Sequence, residues 1–453
     1  MINNRKAAFL TLGCKVNQYE SDAMKEILVK RGYEITDFKD RADVYIINTC
    51  SVTNVADKKS RQMIRRAKKQ NPDAAVVACG CYVQTERDRH PEKESLIEDA
   101  DILLGNNRKG DIADVIEQWF EEKKVQSDVT DIAVEKEYEN LYLTDISDHT
   151  RAYLKIQDGC NQFCSYCIIP YARGRIRSRA PEDVKREVNI LVKKGFREIV
   201  LTGIHLSSYG LDRGDTSLLD LIRELNDIER LERIRLGSLE PRIITENFVR
   251  ELSRCEKVCP HFHLSLQSGC DATLKRMNRH YTTAEYEDAV NLLRTWFDRP
   301  AITTDVIVGF AGETEEEFET TRKFLEMIRL YDMHIFKYSV REGTRAQSME
   351  GQLPGLVKIW RSSQLMELAA TLKKEYEESM IGTVDQVLLE DQIEIDGVRY
   401  MQGYTPRYVK VAVELKDNSS YLRQNERITV NICGFINEEL LKGKVMIDFD
   451  QVS

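Results

Sequence analysis

The stretch Asp158-Gly159-Cys160-Asn161-Gln162-Phe163-Cys164-Ser165-Tyr166-Cys167 follows an apolar run, Ala152–Ile156, that reads as a strand. It sets three thiols apart by three and then two residues. With 11 cysteines in 453 residues, that spacing would arise by chance in roughly one such chain in 150, so it calls for a chemical reason. Thiolates this close in sequence converge on one metal centre. Structural zinc takes a fourth ligand, and neither flank offers a paired Cys or His at knuckle spacing. An iron–sulfur cluster accepts three protein thiolates and keeps one iron open. The position just past a strand is the usual address for chemistry in βα barrels.

Outward from this stretch, residues from about 150 to 345 alternate strands and helices. Candidate strands are Ala152–Ile156, Glu198–Thr202, Arg233–Leu236, Phe262–Leu266, Thr303–Val308 and His334–Tyr338, with helices such as Pro181–Lys194 and Thr283–Trp296 between them. The pattern suits a partial (βα)6 barrel, and an open doubly wound sheet gives the same periodicity. Upstream, Ala7–Leu12, Val44–Asn48, Ala75–Ala78 and Ile102–Leu104 alternate with the amphipathic stretches Ser21–Lys30 and Ala56–Lys69, predicting an open parallel sheet; residues 121–149 read as a polar connection. Downstream, residues 357–380 predict one long helix. After Gly382 come the short strands Thr383–Glu390, Tyr408–Glu414, Ile428–Ile432 and Lys444–Ile447 of a small all-β module. The expected fold is α/β in three units: an N-terminal parallel-sheet domain over 1–145, a central barrel domain over 146–375 and a β-barrel over 376–447.

Lys and Arg total 66 against 75 Asp and Glu, a net charge of −9, so any nucleic-acid surface must be local. No run of about 18 apolar residues exists to span a membrane. The N-terminal residues lack the apolar core and cleavage site of a signal peptide. A cytoplasmic location is expected, and in that setting an odd number of cysteines argues for metal or catalytic use over a disulfide framework.

A second set of cysteines is spread through the first unit. Cys14, Cys50 and Cys81 each lie just past the carboxyl end of a candidate parallel strand, the edge where open α/β sheets bind ligands. Thiols far apart in sequence can meet there. The plainer alternative is three small buried hydrophobes.

The Cys160–Cys167 run resembles the radical S-adenosylmethionine (SAM) superfamily. Taken with Leu12-Gly13-Cys14-Lys15-Val16-Asn17, Asn48-Thr49-Cys50, Cys79-Gly80-Cys81, Asp158-Gly159-Cys160 and Pro170-Tyr171-Ala172-Arg173-Gly174-Arg175, it makes nearly the whole chain resemble the methylthiotransferase family. That family joins an N-terminal cluster domain to a radical SAM domain and a C-terminal TRAM module. The resemblance implies two 4Fe-4S clusters and SAM as cofactors. Cys160, Cys164 and Cys167 would hold the radical cluster, and Cys14, Cys50 and Cys81 the auxiliary one. Cys81 is selected because the family's third auxiliary ligand follows a glycine, with Cys79 a close competitor. Cys255, Cys259, Cys270 and Cys433 match no ligand position and read as structural. Tyr166, Gly203, Glu240 and Gln267 would contact SAM, the plainer reading of the strand-end positions being turns and caps. His205 reads as a loop residue, and Thr314 as a helix cap.

By the same resemblance the activity is methylthiolation at C2 of N6-threonylcarbamoyladenosine beside the tRNA anticodon. An electron donor such as flavodoxin or ferredoxin and a sulfur source would be partners. The stretches Leu12–Ser21, Ile176–Arg179 and Leu201–Gly210 look most like the threonylcarbamoyl branch; the isopentenyladenosine branch and the ribosomal-protein aspartate branch are the alternatives. RNA contacts are expected at Arg61, Arg65 and Lys68 on one helix face. Further contacts are expected at Arg173 and Arg175, in a basic patch with Arg177 and Arg179, and at Tyr404, Arg407 and Lys410 of the β module. A zinc-containing, non-catalytic RNA-binding protein is the rival of a different class. A radical SAM enzyme using its second cluster only for electron transfer is another, and would prefer four protein ligands there.

Overall fold

The computed structural model describes residues 5–89, 97, 99–144, 150–415 and 422–446, with the backbone alone for 87–89. The first unit contains strands β1 (Lys6–Thr11), β2 (Glu34–Thr36), β3 (Val44–Thr49), β4 (Ala75–Gly80), β5 (Ile102–Leu104) and β6 (Gln126–Asp128). Its helices are α1 (Lys15–Lys30), α2 (Asn54–Gln70), α3 (Cys81–Arg89) and α4 (Ile112–Glu122). The strands form one parallel sheet in the order β2-β1-β3-β4-β5-β6. β3 and β4 are buried at every position, as continuous apolar runs covered on both faces should be. Met24, Leu28, Ile112, Ile116 and Trp119 of α1 and α4 cover one face, and Ile64, Ala67, Tyr82 and Val83 of α2 and α3 cover the other. The open parallel sheet is as expected. Its edge strands β2 and β6 are three residues each, too short to carry a period, and β6 falls inside the stretch read as a connection.

The central unit contains β7 (Arg151–Asp158), β8 (Arg177–Ser178), β9 (Glu198–Gly203), β10 (Arg233–Leu236), β11 (Ser238–Leu239), β12 (His261–Leu264), β13 (Ala301–Val308) and β14 (Asp332–Lys337). Helices α5 (Ile169–Arg173), α6 (Pro181–Lys193), α7 (Leu218–Asn226), α8 (Glu246–Ser253), α9 (Asp271–Arg276), α10 (Thr283–Trp296), α11 (Glu315–Ile328) and α12 (Gly355–Ser379) connect and cover them. Two sheets result, β10-β9-β7-β8 and β11-β12-β13-β14. β10 and β11 are one run interrupted at Gly237, and a parallel bridge between Ile234 and Val258 joins the two sheets. All six expected strands are present and parallel. The short β8, antiparallel to β7, makes the sheet mixed. Apolar residues such as Leu154, Ile199, Leu201, Ile234, Phe262 and Leu264 alternate with polar ones and pack under the helices.

Helix α12 leads into β15 (Val384–Ile395), β16 (Val398–Tyr404), β17 (Lys410–Glu414), β18 (Arg427–Asn437) and β19 (Leu440–Val445). β15 pairs with both β16 and β18, so the ring β15-β16-β17-β19-β18 closes on itself. Strand β16 was not expected from the sequence. Its hairpin turns at Asp396-Gly397, both with positive φ (51° and 76°), the Asp-Gly signal of a two-residue turn. Of the expected last strand, Ile447 lies outside the described residues.

The first two units meet across α1. Tyr19 and Ala23 belong to the apolar core of the central unit, whereas Met24 and Leu28 belong to that of the first. Beside this seam lies a fully buried cluster of charges. Glu20 on α1 receives Lys109 at 2.6 Å, Lys155 at 2.7 Å and Arg173 at 2.5 Å. Asp158 pairs with the same Lys155 at 2.5 Å and Arg173 at 3.2 Å. Burial alone would raise the Glu20 carboxyl, but Arg173, Lys109 and Lys155 hold it well below the usual range, and Asp158 is lowered in the same way. Replacing Glu20 by Ala strands the buried Lys109 and leaves Lys155 and Arg173 to Asp158 alone, and is expected to cost about 3–5 kcal/mol, read by denaturant unfolding. Because both carboxyls are depressed, their contribution is complete above the ordinary carboxylate range. It is lost as pH falls through and below that range, so the Glu20→Ala deficit should shrink in acid.

Candidate active site

A cavity of about 1040 Å³ opens at the carboxyl ends of the central strands. Its wall includes Cys160, Cys164 and Cys167, then Cys14 and Lys15 from the start of α1, and Tyr404, Tyr408 and Lys410 from the C-terminal barrel.

The loop from Cys160 to Cys167 is held by its own backbone and by the segment after α9. Gly159 has φ +70°, and a Cβ there would stand 1.8 Å from the Arg175 carbonyl oxygen, so only glycine lets the chain turn into the loop. The Cys160 N–H donates to Gly174 O at 3.0 Å, and that of Cys167 to Cys164 O at 3.0 Å. The Asn278 amide donates to Phe163 O at 3.0 Å, and Arg279 Nη1 donates to Cys164 Sγ at 3.1 Å. Burial pushes the Cys160 thiol up to about 11 and raises Cys167 further. Metal binding at these two must therefore displace protons. Three thiols with one cationic donor suit an iron–sulfur cluster with an open iron.

Cys14, Cys50 and Cys81 follow β1, β3 and β4, which are neighbours in the sheet, and the structure brings the three thiols together. The thiols feel one another: burial first, then Cys81 and Cys14, push Cys50 up to about 11. Gly13 has φ +101°, and a Cβ there would stand 2.8 Å from Cys50 Sγ, so glycine lets the two loops touch. Asn17 ties both loops, donating to Leu12 O at 2.7 Å and Thr49 O at 3.0 Å. Arg173 Nε donates to Cys81 Sγ at 3.2 Å. Four cations contact the two carboxylates of the charge cluster, Arg177 reaching Asp158 at 3.8 Å, and Arg173 of that set turns to Cys81. Cys79 stands apart. Its thiol faces Ile47 O at 3.7 Å within the sheet's other apolar core, and burial pushes it up to about 12.

Gly203, Glu240 and Gln267 all line the cavity, as does Tyr166, whose ring meets Phe310 edge-on at 6.3 Å. The Glu240 carboxylate lies 3.1 Å from Arg242 and 3.8 Å from His205 Nε2. Gln267 has φ +72° and is pinned through its backbone, donating to Asp305 O and accepting from Ile307 N–H, both at 2.9 Å. His205 is a loop residue whose Nδ1 meets Ser208 Oγ at 2.6 Å; burial lowers its pKa to about 4. Thr314 caps α11 in a capping box with Glu317, as expected.

The expected RNA residues fare unevenly. Arg173 is corrected: it is fully buried among Glu20, Asp158, Asn17 and Cys81, and no phosphate reaches it. Arg177 and Arg179 are buried too, and of that patch only Arg175 is exposed, its guanidinium 4.6 Å from the centre of the Phe163 ring. Arg407 is also corrected. It docks the C-terminal barrel on the central unit, bound to Asp385 at 3.0 Å and Asp298 at 3.1 Å. Tyr404 stacks on Tyr408 at 4.6 Å beneath Arg151, at the seam between these two units, so it lines the cavity and not an outer face. Arg61 and Arg65 are exposed on α2, although Arg65 pairs with Asp99 at 3.1 Å; Lys68 is half-buried against Asp101 at 2.8 Å. Lys410 lines the cavity.

Several site residues went unread in the sequence. Arg279 and Asn106, the latter 3.7 Å from Cys81 Sγ, lie far from the cysteines they touch and carry no local signal. Arg341 clasps the first unit through Asp57 at 2.7 Å and Ser51 at 2.8 Å. His263, Asp305 and His334 converge on one side of the cavity, with Asp305 between the two rings at 3.3 and 3.2 Å. Polar alternation in His261-Phe262-His263-Leu264-Ser265 was the available signal for an inward-facing polar row.

The site thus defines a class: an α/β protein with one three-thiol site in a cavity and a second thiol set that reaches the same cavity through Cys14. Residues 154–325 match the Radical SAM superfamily, and residues 6–105 match Uncharacterized protein family UPF0004. The Threonylcarbamoyladenosine tRNA methylthiotransferase MtaB of Bacillus subtilis is 44% identical over 406 residues, covering 89% of each chain. The tRNA-2-methylthio-N(6)-dimethylallyladenosine synthase of Acetivibrio thermocellus is 37% identical over 393 residues, 84% of this chain and 79% of that one. The chain belongs to the methylthiotransferase family of radical SAM enzymes, in its MtaB-type branch. A solved radical SAM methyltransferase, TsrM from Kitasatospora setae, shares the fold with TM-score 0.57 and 16% identity over 76% of this chain and 77% of its own.

In the metal-free protein, alkylation at pH 8 should mark the exposed Cys433 and Cys14 before the buried thiols. Cys79 and Cys259, fully enclosed and raised to about 12 and about 11, should react only after unfolding or at strongly alkaline pH. Mass mapping of the modified cysteines reads the order.

Proposed function

We propose that this chain is a tRNA methylthiotransferase that places a methylthio group on C2 of N6-threonylcarbamoyladenosine beside the anticodon. The observation that carries the reading is one cavity lined by Cys160, Cys164 and Cys167 and reached by Cys14 of the second thiol set, in a chain 44% identical to an MtaB enzyme. The proposed units are the N-terminal cluster domain over 1–145, a radical SAM domain over 146–375 built as a partial (βα)6 barrel, and a TRAM module over 376–447.

Cys160, Cys164 and Cys167 would hold one 4Fe-4S cluster and Cys14, Cys50 and Cys81 a second. When bound, these clusters and SAM supply one-electron chemistry at an aromatic C–H bond together with the sulfur and methyl groups that replace the hydrogen. The protein's own work is placement. Arg279 and Arg173 donate to the Cys164 and Cys81 sulfurs, and Asn17 ties the Cys14 loop to the Cys50 loop. Glu240, Gln267, Tyr166 and the backbone at Gly203 line the place for SAM, and the enclosing walls keep bulk water from reactive species. Exposed Arg61, Arg65 and Arg175 and the cavity-lining Lys410 are the cations left for RNA phosphates. An unstacked anticodon-loop base can enter such a cavity. No helix among the described residues is long and apolar enough to cross a membrane; a tRNA substrate supports a cytoplasmic location. A flavodoxin- or ferredoxin-type electron donor and a sulfur source complete the partners.

Nucleoside mass spectrometry of tRNA treated with reconstituted protein, SAM and reductant tests the reading. A methylthio mass gain on the threonylcarbamoyl nucleoside alone is expected; a gain on the isopentenyl nucleoside instead would move the chain to the other branch. Cys81→Ser should lower bound iron by about half, one cluster of two, while Cys79→Ser keeps it. The reverse result would exchange the two cysteines' roles. Arg175→Ala should weaken tRNA binding evenly across sequences and reduce the salt slope by about one, measured by binding titrations at several ionic strengths.

A further inference from the structure

The cavity wall carries five Lys and Arg side chains, and three of them are engaged. Arg235 pairs with Glu198 at 2.6 Å and Lys373 with Asp332 at 3.3 Å, while Arg279 is spent on Cys164 Sγ and the Tyr281 hydroxyl. Lys410 and Lys15 have no carboxylate within ion-pair distance among the described residues. Lys410 sits on β17 of the C-terminal barrel. Lys15 is the first residue of α1, adjoining Cys14 of the second thiol site.

Lys15 is exposed to the cavity. Its Nζ lies 5.6 Å from the centre of the Tyr153 ring. A cation that faces a cavity with no carboxylate beside it gains from an anion that enters. The proposed substrate brings one, because the threonylcarbamoyl group ends in a carboxylate and an isopentenyl group does not.

We propose that Lys15 binds the carboxylate of the threonylcarbamoyl group and thereby selects the acidic nucleoside over the apolar one. This assignment rests on the reaction proposed above and names the residue that reads its substrate. An ammonium placed to take a carboxylate adds binding only for the nucleoside that carries one. An RNA phosphate could satisfy the same amine, and the test separates the two sources.

Two anticodon stem-loop RNAs serve as probes, one carrying N6-threonylcarbamoyladenosine as the free acid and one as its methyl ester. Reconstituted wild-type, Lys15→Gln and Lys15→Arg proteins are compared by KM and kcat for methylthiolation and by RNA affinity without reductant. Wild type is expected to favour the acid by on the order of 10- to 100-fold, mainly in KM and affinity. Lys15→Gln should lose that preference by weakening the acid RNA alone, and Lys15→Arg should restore most of it. A preference that survives Lys15→Gln overturns the proposal. So does an equal loss on both RNAs, which is the mark of a phosphate contact or of damage to the fold. Should Lys15→Gln not fold, wild type decides, since equal handling of acid and ester also overturns it. Wild type that cleaves SAM yet methylthiolates neither RNA overturns the reaction itself, a failure distinct from lost discrimination.

Discussion

The arrangement of this protein depends on the buried contact of Glu20 with Lys109, Lys155 and Arg173. Each member lies close in sequence or space to a thiol. Glu20 is six residues past Cys14 on α1, Asp158 is two before Cys160, and Arg173 touches Cys81 itself. A buried ion cluster adds little net stability, because desolvation offsets most of the attraction, but breaking one is costly. Its consequence here is geometric. Any slip of α1 against β7 would strand a charge in the interior, so the two thiol sites are held at one mutual position. Tyr19 reinforces the same seam, donating to Leu141 O at 2.6 Å beside the buried Arg179–Glu187 pair at 2.5 Å.

A second constraint shapes the cavity. The central strands turn apolar residues outward to their helices and polar ones inward, so the interior carries Arg151, Glu198, Arg235, His261, His263 and Asp305 where a barrel would ordinarily pack branched aliphatics. Such side chains pair instead of filling space. Several reach the C-terminal barrel: Arg233 donates to Tyr404 O at 3.0 Å and to Gln386 O at 2.8 Å, Arg235 donates to Pro406 O at 2.9 Å, and Arg151 meets Glu390 at 2.8 Å. The same inward face thus leaves room for ligands and anchors the β module. That explains why Tyr404 and Arg407, which read as an exposed RNA surface, are drawn into a domain seam.

What was legible in the sequence was whatever local pattern encodes. The six central strands, the N-terminal parallel sheet and the long α12 all carry periodicity, and the cysteine spacing carried the chemistry. Strands of three residues have no period to read, and β16 was hidden because its Asp396-Gly397 turn went unused. The larger errors concern arginines. Arg173 and Arg175 are two residues apart in one basic run, yet one is sealed in the core and the other open. Charge in sequence does not report pairing, and the partners of Arg173 come from Glu20, Asn17 and Cys81, across a domain boundary. Arg279 was illegible for the same reason, since its partner sulfur is over a hundred residues away.

Helix α1 shows how a local rule gives way at the site. Hydroxyls of Thr53, Ser217, Thr245, Thr282 and Thr314 cap α2, α7, α8, α10 and α11, as helix starts prefer. At α1 the cap position is Cys14, which makes no side-chain capping bond, and no acid occupies the first turn. The helix therefore directs its positive end at the place where Cys14 and the cavity meet. Burial raises the Cys14 thiol, and Arg173 and the Asn17 backbone N–H act the other way. An acid in that first turn would neutralise the same field, and Lys15 occupies the position instead. Local helix stability is lower for it, and the positive potential is concentrated where thiolates and an anionic nucleoside have to be held.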